Sequence, residues 1–385
     1  MLLELSAAQE EFRQAARAFA DEHVRPVAVR IDEENRFPRE LVRLAGAHGL
    51  LAATIPVEYG GAGRDFVSYV IAIEEVAKAS ATLAVILVVT NSLVADFIHH
   101  FGTASQKERW LAGLASGEII GAFALSEEHA GSDAANQLTS ATAAADGGFS
   151  LDGRKVWVAN AEAADVAIVI AATSLRHGER GMTAFLVPFT SPGMVTSQTL
   201  DSLGVRGLGC RHVDLRRVSV SADAVLGDRE EGFKAALWAL DGTRVAIAAQ
   251  ALGVGHAALE AALEHARERQ AFGKPIGRYQ AVQWMLADMA TELDAARLLT
   301  LKAAALRDRQ PRISLEAAMA KLQASEAAHR AADKALQILA SAGYRRGSDV
   351  ERHFRDARAA EIYSGTSEVQ RMVIAEQILG VRAEQ

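Results

Sequence analysis

Cysteine is almost missing from this 385-residue chain, with Cys210 the single example. A lone thiol excludes an internal disulfide and a cysteine-rich zinc site. It fits a reducing compartment, and a cytoplasmic location is the expectation. An excess of positive charge is missing too. Lys and Arg number 41 against 48 Asp and Glu, a formal net charge of −7. Phosphate backbones demand a basic footprint, so no nucleic-acid partner is expected. Long hydrophobic runs are also absent. The most apolar stretch, Leu83 to Val89, is about a third of the roughly 20 residues that span a bilayer. It is expected to be a buried core helix, with no membrane association. Met1 to Leu5 carries Glu4 where a signal peptide wants positive charge, and no targeting segment is expected. Aromatics make up only 6%, yet half the residues are apolar and 23% are charged, which is a globular composition. At about 150 residues per domain, two to three domains are expected.

What is present divides into three stretches. Residues 1–117 read as helices. Phe12, Ala16, Phe19 and Ala20 form an amphipathic stripe. Phe37-Pro38 opens another helix, and Glu58 to Gly63 is a glycine-rich turn. Residues 118–226 are richer in Ser, Thr, Val and Gly. Short β-type runs (Ile119–Leu125, Val156–Ala159, Val166–Ala171, Thr183–Val187, Val213–Val220) are separated by turns such as Asp146-Gly147-Gly148. Strands without intervening helices predict a small antiparallel β domain. Residues 227–385 are helical again. Val282, Leu286, Met289, Leu293 and Ala296 make a bundle seam, and four long helices are expected. The fold class is α+β: helical domain, middle β domain, four-helix bundle.

Several local signals carry less. Gly253-Val254-Gly255-His256-Ala257-Ala258 matches a dinucleotide fingerprint, but lies within a helical pattern instead of after a strand. Small residues that let two helices pack closely are the better reading. His99-His100 has no partner at ligand spacing, so surface histidines and no metal site are expected. Ser126, Ser132 and Ser364 lack the nucleophile elbow of a hydrolase.

Six strings occur together and in order: Ala124 to Asp133 (ALSEEHAGSD), Lys155 to Asn160 (KVWVAN), Glu268 to Gly273 (ERQAFG), Gln337 to Tyr344 (QILASAGY), Arg352 to Arg358 (RHFRDAR) and Glu361 to Glu368 (EIYSGTSE). Together they resemble the acyl-CoA dehydrogenase family of flavoproteins, over nearly the whole chain. The resemblance implies FAD, an acyl-CoA thioester substrate, electron-transfer flavoprotein as electron acceptor and a homotetramer. It implies α,β-dehydrogenation: a base removes the α-proton while the β-hydrogen leaves as hydride.

Residue by residue, the resemblance assigns Leu125, Ser126, Gly131, Ser132, Trp157 and Ala159 to the flavin, Ser132 also being close to substrate. Arg269, Phe272, Gln337 and Gly343 would reach a neighbouring subunit's cofactor, and Thr366 and Glu368 would follow the active-site turn. Asp241 and Arg244 would meet the pantetheine and CoA arm. Tyr363 and Gly365 would border the thioester, and the backbone N–H of residue 364 would polarise its carbonyl.

The sequence departs from the family where the chemistry is most exacting. Ser364 occupies the position of the usual catalytic glutamate, and Thr243 the position of the alternative one. A serine hydroxyl is no useful base without another base beside it. Ala159 replaces a threonine that bonds the flavin, and Ala340-Ser341 replace a Gly-Gly pair. Four readings follow: a dehydrogenase with its base relocated, family chemistry without net oxidation (or 1,4-dehydrogenation of a cyclic acyl-CoA), a non-catalytic subunit of a hetero-oligomer, or an engineered Ser364 variant. Asp96 is the nearest acid in the N-terminal stretch, with Thr90-Asn91 expected to face the pocket. Acyl carrier protein is an alternative carrier to CoA.

Overall fold

The computed structural model describes residues 4–174, 181–310 and 312–380. Met1 to Leu3 of the targeting argument lie outside the described residues.

The first layer is α1 (Ala7–Phe19), α2 (Arg25–Glu34), α3 (Arg39–Ala47), α4 (Phe66–Ala79), α5 (Ala81–Val88), α6 (Asp96–Phe101) and α7 (Ala104–Ser116). Ser6 with Gln9, and Thr103 with Gln106, make reciprocal capping boxes that start α1 and α7. The Phe12, Ala16, Phe19 and Ala20 stripe is buried, as its spacing demands. A π-helical turn, Val89–Ala95, joins α5 to α6 without a break. The helical run Ala81–Phe101 is therefore long and apolar enough to cross a membrane, but 94% of its most apolar window is buried inside the protein. It is a core helix, longer than the apolar run alone indicates.

The middle layer is β1 (Gly121–Ala124), β2 (Ser140–Ala143), β3 (Phe149–Val158), β4 (Val166–Ala172), β5 (Met182–Pro188), β6 (Met194–Thr196), β7 (Arg211–Val220) and β8 (Val225–Leu226). They form one sheet in the order β6-β7-β3-β2-β4-β5-β8, with β1 beside β4. Most neighbours are antiparallel, as expected for short strands joined by turns. The pairs β1–β4 and β2–β4 are parallel, so the sheet is mixed. The chain leaves β1 on a long excursion before β4, which allows a parallel return that no tight turn could make. β4 is buried at every position. A strand covered on both faces reads as a continuous apolar run.

The last layer is α8 (Gly232–Glu268), a hairpin of β9 (Gln270–Ala271) and β10 (Lys274–Pro275), then α9 (Gln280–Arg307), α10 (Ser314–Leu339), α11 (Ser341–Tyr344), α12 (Asp349–Ala360) and α13 (Ser367–Leu379). Met289, Leu293 and Ala296 of the expected seam are buried. The four long helices are three long ones and two shorter ones, α12 and α13. Side-chain caps at Ser348 and Thr366 start each of the shorter pair, and the Tyr363–Gly365 turn parts them.

The Gly253–Ala258 string lies inside α8 and binds no nucleotide loop. A Cβ at Gly253 would overlap the Glu74 carbonyl oxygen of α4, and one at Gly255 would press on Leu293 of α9 and Ala328 of α10. These glycines let three helices close on α8. Gly253→Ala should destabilise the protein by about 1–3 kcal/mol through overpacking. A fall in the urea midpoint at unchanged m-value is the expected outcome.

Candidate active site

One part of the site is a β-domain loop held by a buried lysine. Lys155 is fully buried, and its Nζ donates to the Leu125 carbonyl at 2.9 Å, Glu127 Oε1 at 2.9 Å and Gln137 Oε1 at 2.7 Å. Glu127 in turn accepts from the Leu138 and Thr139 N–H groups at 2.8 and 3.0 Å. Burial alone would raise the Glu127 pKa, yet the Lys155 charge and these hydrogen bonds hold it below the usual carboxylate range. The next strand closes against the loop, with Val156 N–H donating to the Ser126 carbonyl at 2.9 Å. The β3–β7 ladder then shifts register between Lys155 and Val158. Trp157 sits in that irregularity with φ +54° and 57% of its surface exposed. A bulge re-aims a side chain in this way. Gly131, Ser132 and Trp157 are exposed, Leu125, Ser126 and Ala159 are half-buried, and a Cβ at Gly131 would meet nothing within 4 Å.

A second part is the turn between α12 and α13. Ser364 has φ +56° and Gly365 +92°, two consecutive left-handed residues. The Tyr363 hydroxyl donates to Gln250 Oε1 of α8 at 2.7 Å. The Gly365 carbonyl accepts from Lys321 Nζ of α10 at 2.7 Å and from Gln370 Nε2 at 2.9 Å. Thr366 caps α13 through its hydroxyl, and Glu368 is exposed in that helix's first turn. Among the described residues, the Ser364 and Gly365 N–H groups donate no hydrogen bond.

A third part is a cleft of about 1150 Å³, with Asp96, His99, His100, Trp238, Asp241, Arg244, Arg307 and Ser314 among its lining. Asp241 accepts from Arg244 at 3.0 Å and from the Ser314 hydroxyl at 2.6 Å. Arg244 is only 6% exposed, so its charge is neutralised within the wall and is not offered to a phosphate. The cations open to solvent at this cleft are Lys234, Arg309 and Arg312. Trp238 lies between His100, stacked at 4.1 Å, and the Arg307 guanidinium at 3.9 Å. His99 and His100 thus belong to the cleft, and no metal-ligating cluster exists among the described residues. Thr90 and Asn91 do not face it. Both are fully buried, Thr90 bonding the Ile86 carbonyl and Asn91 bonding Thr54. The Thr243 hydroxyl is likewise tied to the Ala239 carbonyl at 2.8 Å. β-hydroxyls on buried helices satisfy themselves on the preceding turn.

Arg269 and Phe272 are far from Arg244. They follow Arg244 by about 25 residues along α8, which at 1.5 Å per residue is about 38 Å. Phe272 and Gly273, both at positive φ, form the tip of the β9–β10 hairpin, and Phe272 is 97% exposed. Gln337 is exposed at the end of α10, and Gly343 is buried against Leu339. Ala340 has φ +50° and ψ −131°, a conformation suited to glycine.

Models of the acyl-CoA dehydrogenase N-terminal, middle and C-terminal domains match residues 6–118, 122–218 and 230–379. The mitochondrial short-chain specific acyl-CoA dehydrogenase of Bos taurus is 44% identical over 98% of this chain and 91% of its own length. The butyryl-CoA dehydrogenase structure from Megasphaera elsdenii superposes with a TM-score of 0.96 at 38% identity, covering 98% of this chain and 100% of that one. A structure described as the electron transferring flavoprotein of Acidaminococcus fermentans also matches, with TM-score 0.96, 36% identity and coverage of 98% and 100%. The chain belongs to the acyl-CoA dehydrogenase family. It is an oxidoreductase of that family, whose cofactor is FAD.

The residues present fit a flavin. The strained, exposed Trp157 offers a flat apolar face. The Ser126 and Ser132 hydroxyls have no partner among the described residues, and neither has the buried His212 Nδ1 beside Trp157. In the sequence, Lys155 stands out only as part of the KVWVAN string, and no motif marks Lys321, Gln250 or Gln370. A lysine in an otherwise apolar helix face, as at Lys321 among Ala317, Ala320 and Ala324, was the available signal. Lys155→Met removes one partner of a buried pair and should destabilise by about 3–5 kcal/mol. Chemical denaturation checks this, and loss of FAD should accompany it.

Proposed function

We propose that this chain is an FAD-dependent dehydrogenase of an acyl-CoA thioester, with the α-proton taken by a carboxylate away from position 364. The observation that carries this reading is the Tyr363–Gly365 turn, whose free N–H groups lie beside the buried Arg244–Lys321 cluster. A thioester oxygen placed on the residue 364 N–H is polarised as in an oxyanion hole, which acidifies its α-carbon. FAD held against Trp157 supplies the acceptor for the β-hydrogen. The product is a 2-enoyl thioester.

Ser364 holds a turn conformation and supplies a backbone donor. Its hydroxyl touches no base among the described residues, so it is not the proton acceptor. Of the cleft acids, Asp241 is engaged at both oxygens, Asp308 caps the Phe66 N–H, and Glu376 has an interaction of its own. Asp228 and Glu231 sit at the exposed rim. Asp96 has Arg307 at 3.4 Å, and burial raises its pKa above the usual carboxylate range despite that charge. A carboxylate shifted towards neutrality suits a general base. Asp96 also follows the π-helical turn Val89–Ala95, and π-turns concentrate at functional sites. We assign α-proton removal to Asp96.

The CoA arm would pass Asp241, with Lys234, Arg309 and Arg312 at the rim for its phosphates; the phosphopantetheine of an acyl carrier protein would use the same path. Arg269 lies about 38 Å along α8 from Arg244, too far to share that residue's site in its own chain. A homotetramer, in which Arg269, Phe272, Gln337 and Gly343 border a neighbour's FAD, accounts for the bare Phe272. An electron-transfer flavoprotein is the acceptor that fits the family, and a cytoplasmic location fits the single cysteine.

Anaerobic bleaching of the flavin by a panel of acyl-CoA thioesters tests the reading. Asp96→Asn should slow bleaching by about 10²–10⁴-fold, the span of general-base catalysis. Ser364→Glu should raise butyryl- or hexanoyl-CoA dehydrogenation. A wild-type flavin that no thioester bleaches would refute the assignment, and an unchanged Asp96→Asn rate would move the base elsewhere.

A further inference from the structure

Three helices converge on the Tyr363–Gly365 turn. Gln250 of α8 receives the Tyr363 hydroxyl, Lys321 of α10 donates to the Gly365 carbonyl, and Gln370 of α13 donates to the Gly365 and Ser364 carbonyls at 2.9 and 3.3 Å. Lys321, Gln370 and Gln250 are all fully buried. A trans peptide holds its carbonyl and N–H on opposite sides. Tying both carbonyls inward therefore turns the Gly365 and Thr366 N–H groups outward, and it fixes the left-handed backbone that carries the residue 364 N–H.

Lys321 is unusual in what it bonds. A buried lysine normally faces a carboxylate. This one's hydrogen-bond acceptor is a single main-chain oxygen of the turn. The charged groups around it are Arg244 on α8, Glu368 on α13 and Glu326 on its own helix. Burial and the Arg244 charge push its pKa down to about 7. Neutral or charged, the amine still has N–H to donate.

We propose that Lys321, together with Gln370, is a positioning residue for thioester polarisation: it locks the left-handed Ser364–Gly365 turn so that the residue 364 N–H meets the carbonyl oxygen. This rests on the acyl-CoA thioester reading above. The strut acts on the turn and makes no contact with substrate.

The test uses the FAD-loaded protein and two ligands. Acetoacetyl-CoA loses one C2 proton to solvent without electron transfer, and the enolate is followed by its absorbance. S-butyl-CoA has the same arm and no carbonyl. Lys321→Met should make enolisation of bound acetoacetyl-CoA about tenfold less favourable, an upward shift of about one pH unit in its titration. Flavin content and S-butyl-CoA affinity should stay within about twofold, since only carbonyl polarisation is lost. Lys321→Gln, which keeps an N–H donor, should restore most of the wild-type titration. Gln370→Leu gives a second, independent reading of the same strut should Lys321→Met fold poorly. Wild-type enolisation retained in both Lys321→Met and Gln370→Leu overturns this inference alone. A wild-type protein that binds neither ligand overturns the thioester reading, and the strut's role with it.

Discussion

Close packing around α8 is the constraint on which the rest of the molecule depends. This helix is 37 residues long and buried along most of its length. Its start presses Gly232 against the backbone of β5, and its middle lays Gly253 against α4 and Gly255 against α9 and α10. A run of Ala and Gly makes those approaches feasible, because each added methyl would overlap backbone or a packed side chain. The same helix carries Asp241, Arg244 and Gln250. The β domain, the N-terminal layer and the bundle are thus registered to one rod, and the site lies where they meet.

Within that frame the two halves of the site are built on one device. A buried lysine reaches out of an element and takes a main-chain carbonyl of a loop, beside the other hydrogen bonds that hold it. Lys155 does this for Leu125, and Lys321 for Gly365. Positive φ accompanies each: Trp157 lies two residues after Lys155, and Ser364 directly precedes the held Gly365. Strain of that kind persists where surrounding contacts over-determine it. The departures at Ser364, Ala159 and Thr243 change side chains, and leave this backbone scaffold whole.

Much of the architecture was legible from pattern. The α1 stripe, the seam of α9 and the strand runs all declare themselves by period, because burial of one face repeats along an element. Family strings carried the flavin loop and the turn after α12. Thr90 and Asn91 stay off the cleft wall for a physical reason. A π-turn changes the phase of the helix there, and both side chains satisfy themselves inside the protein. Arg244 likewise reads as a free cation in sequence, but its partner Asp241 sits one turn away and burial closes the pair.

The sequence by itself determined the order of layers, the family and the absence of an acid at residue 364. Those follow from composition, period and local strings, which are properties of neighbours along the chain. Only the tertiary structure decided which groups face the cleft, that Asp96 lies on its wall with Arg307, and that Lys321 holds the Ser364 turn. Such facts bring together residues from α6, α8, α9, α10 and α13. Their distances are set by how helices pack, and no spacing along the chain encodes them.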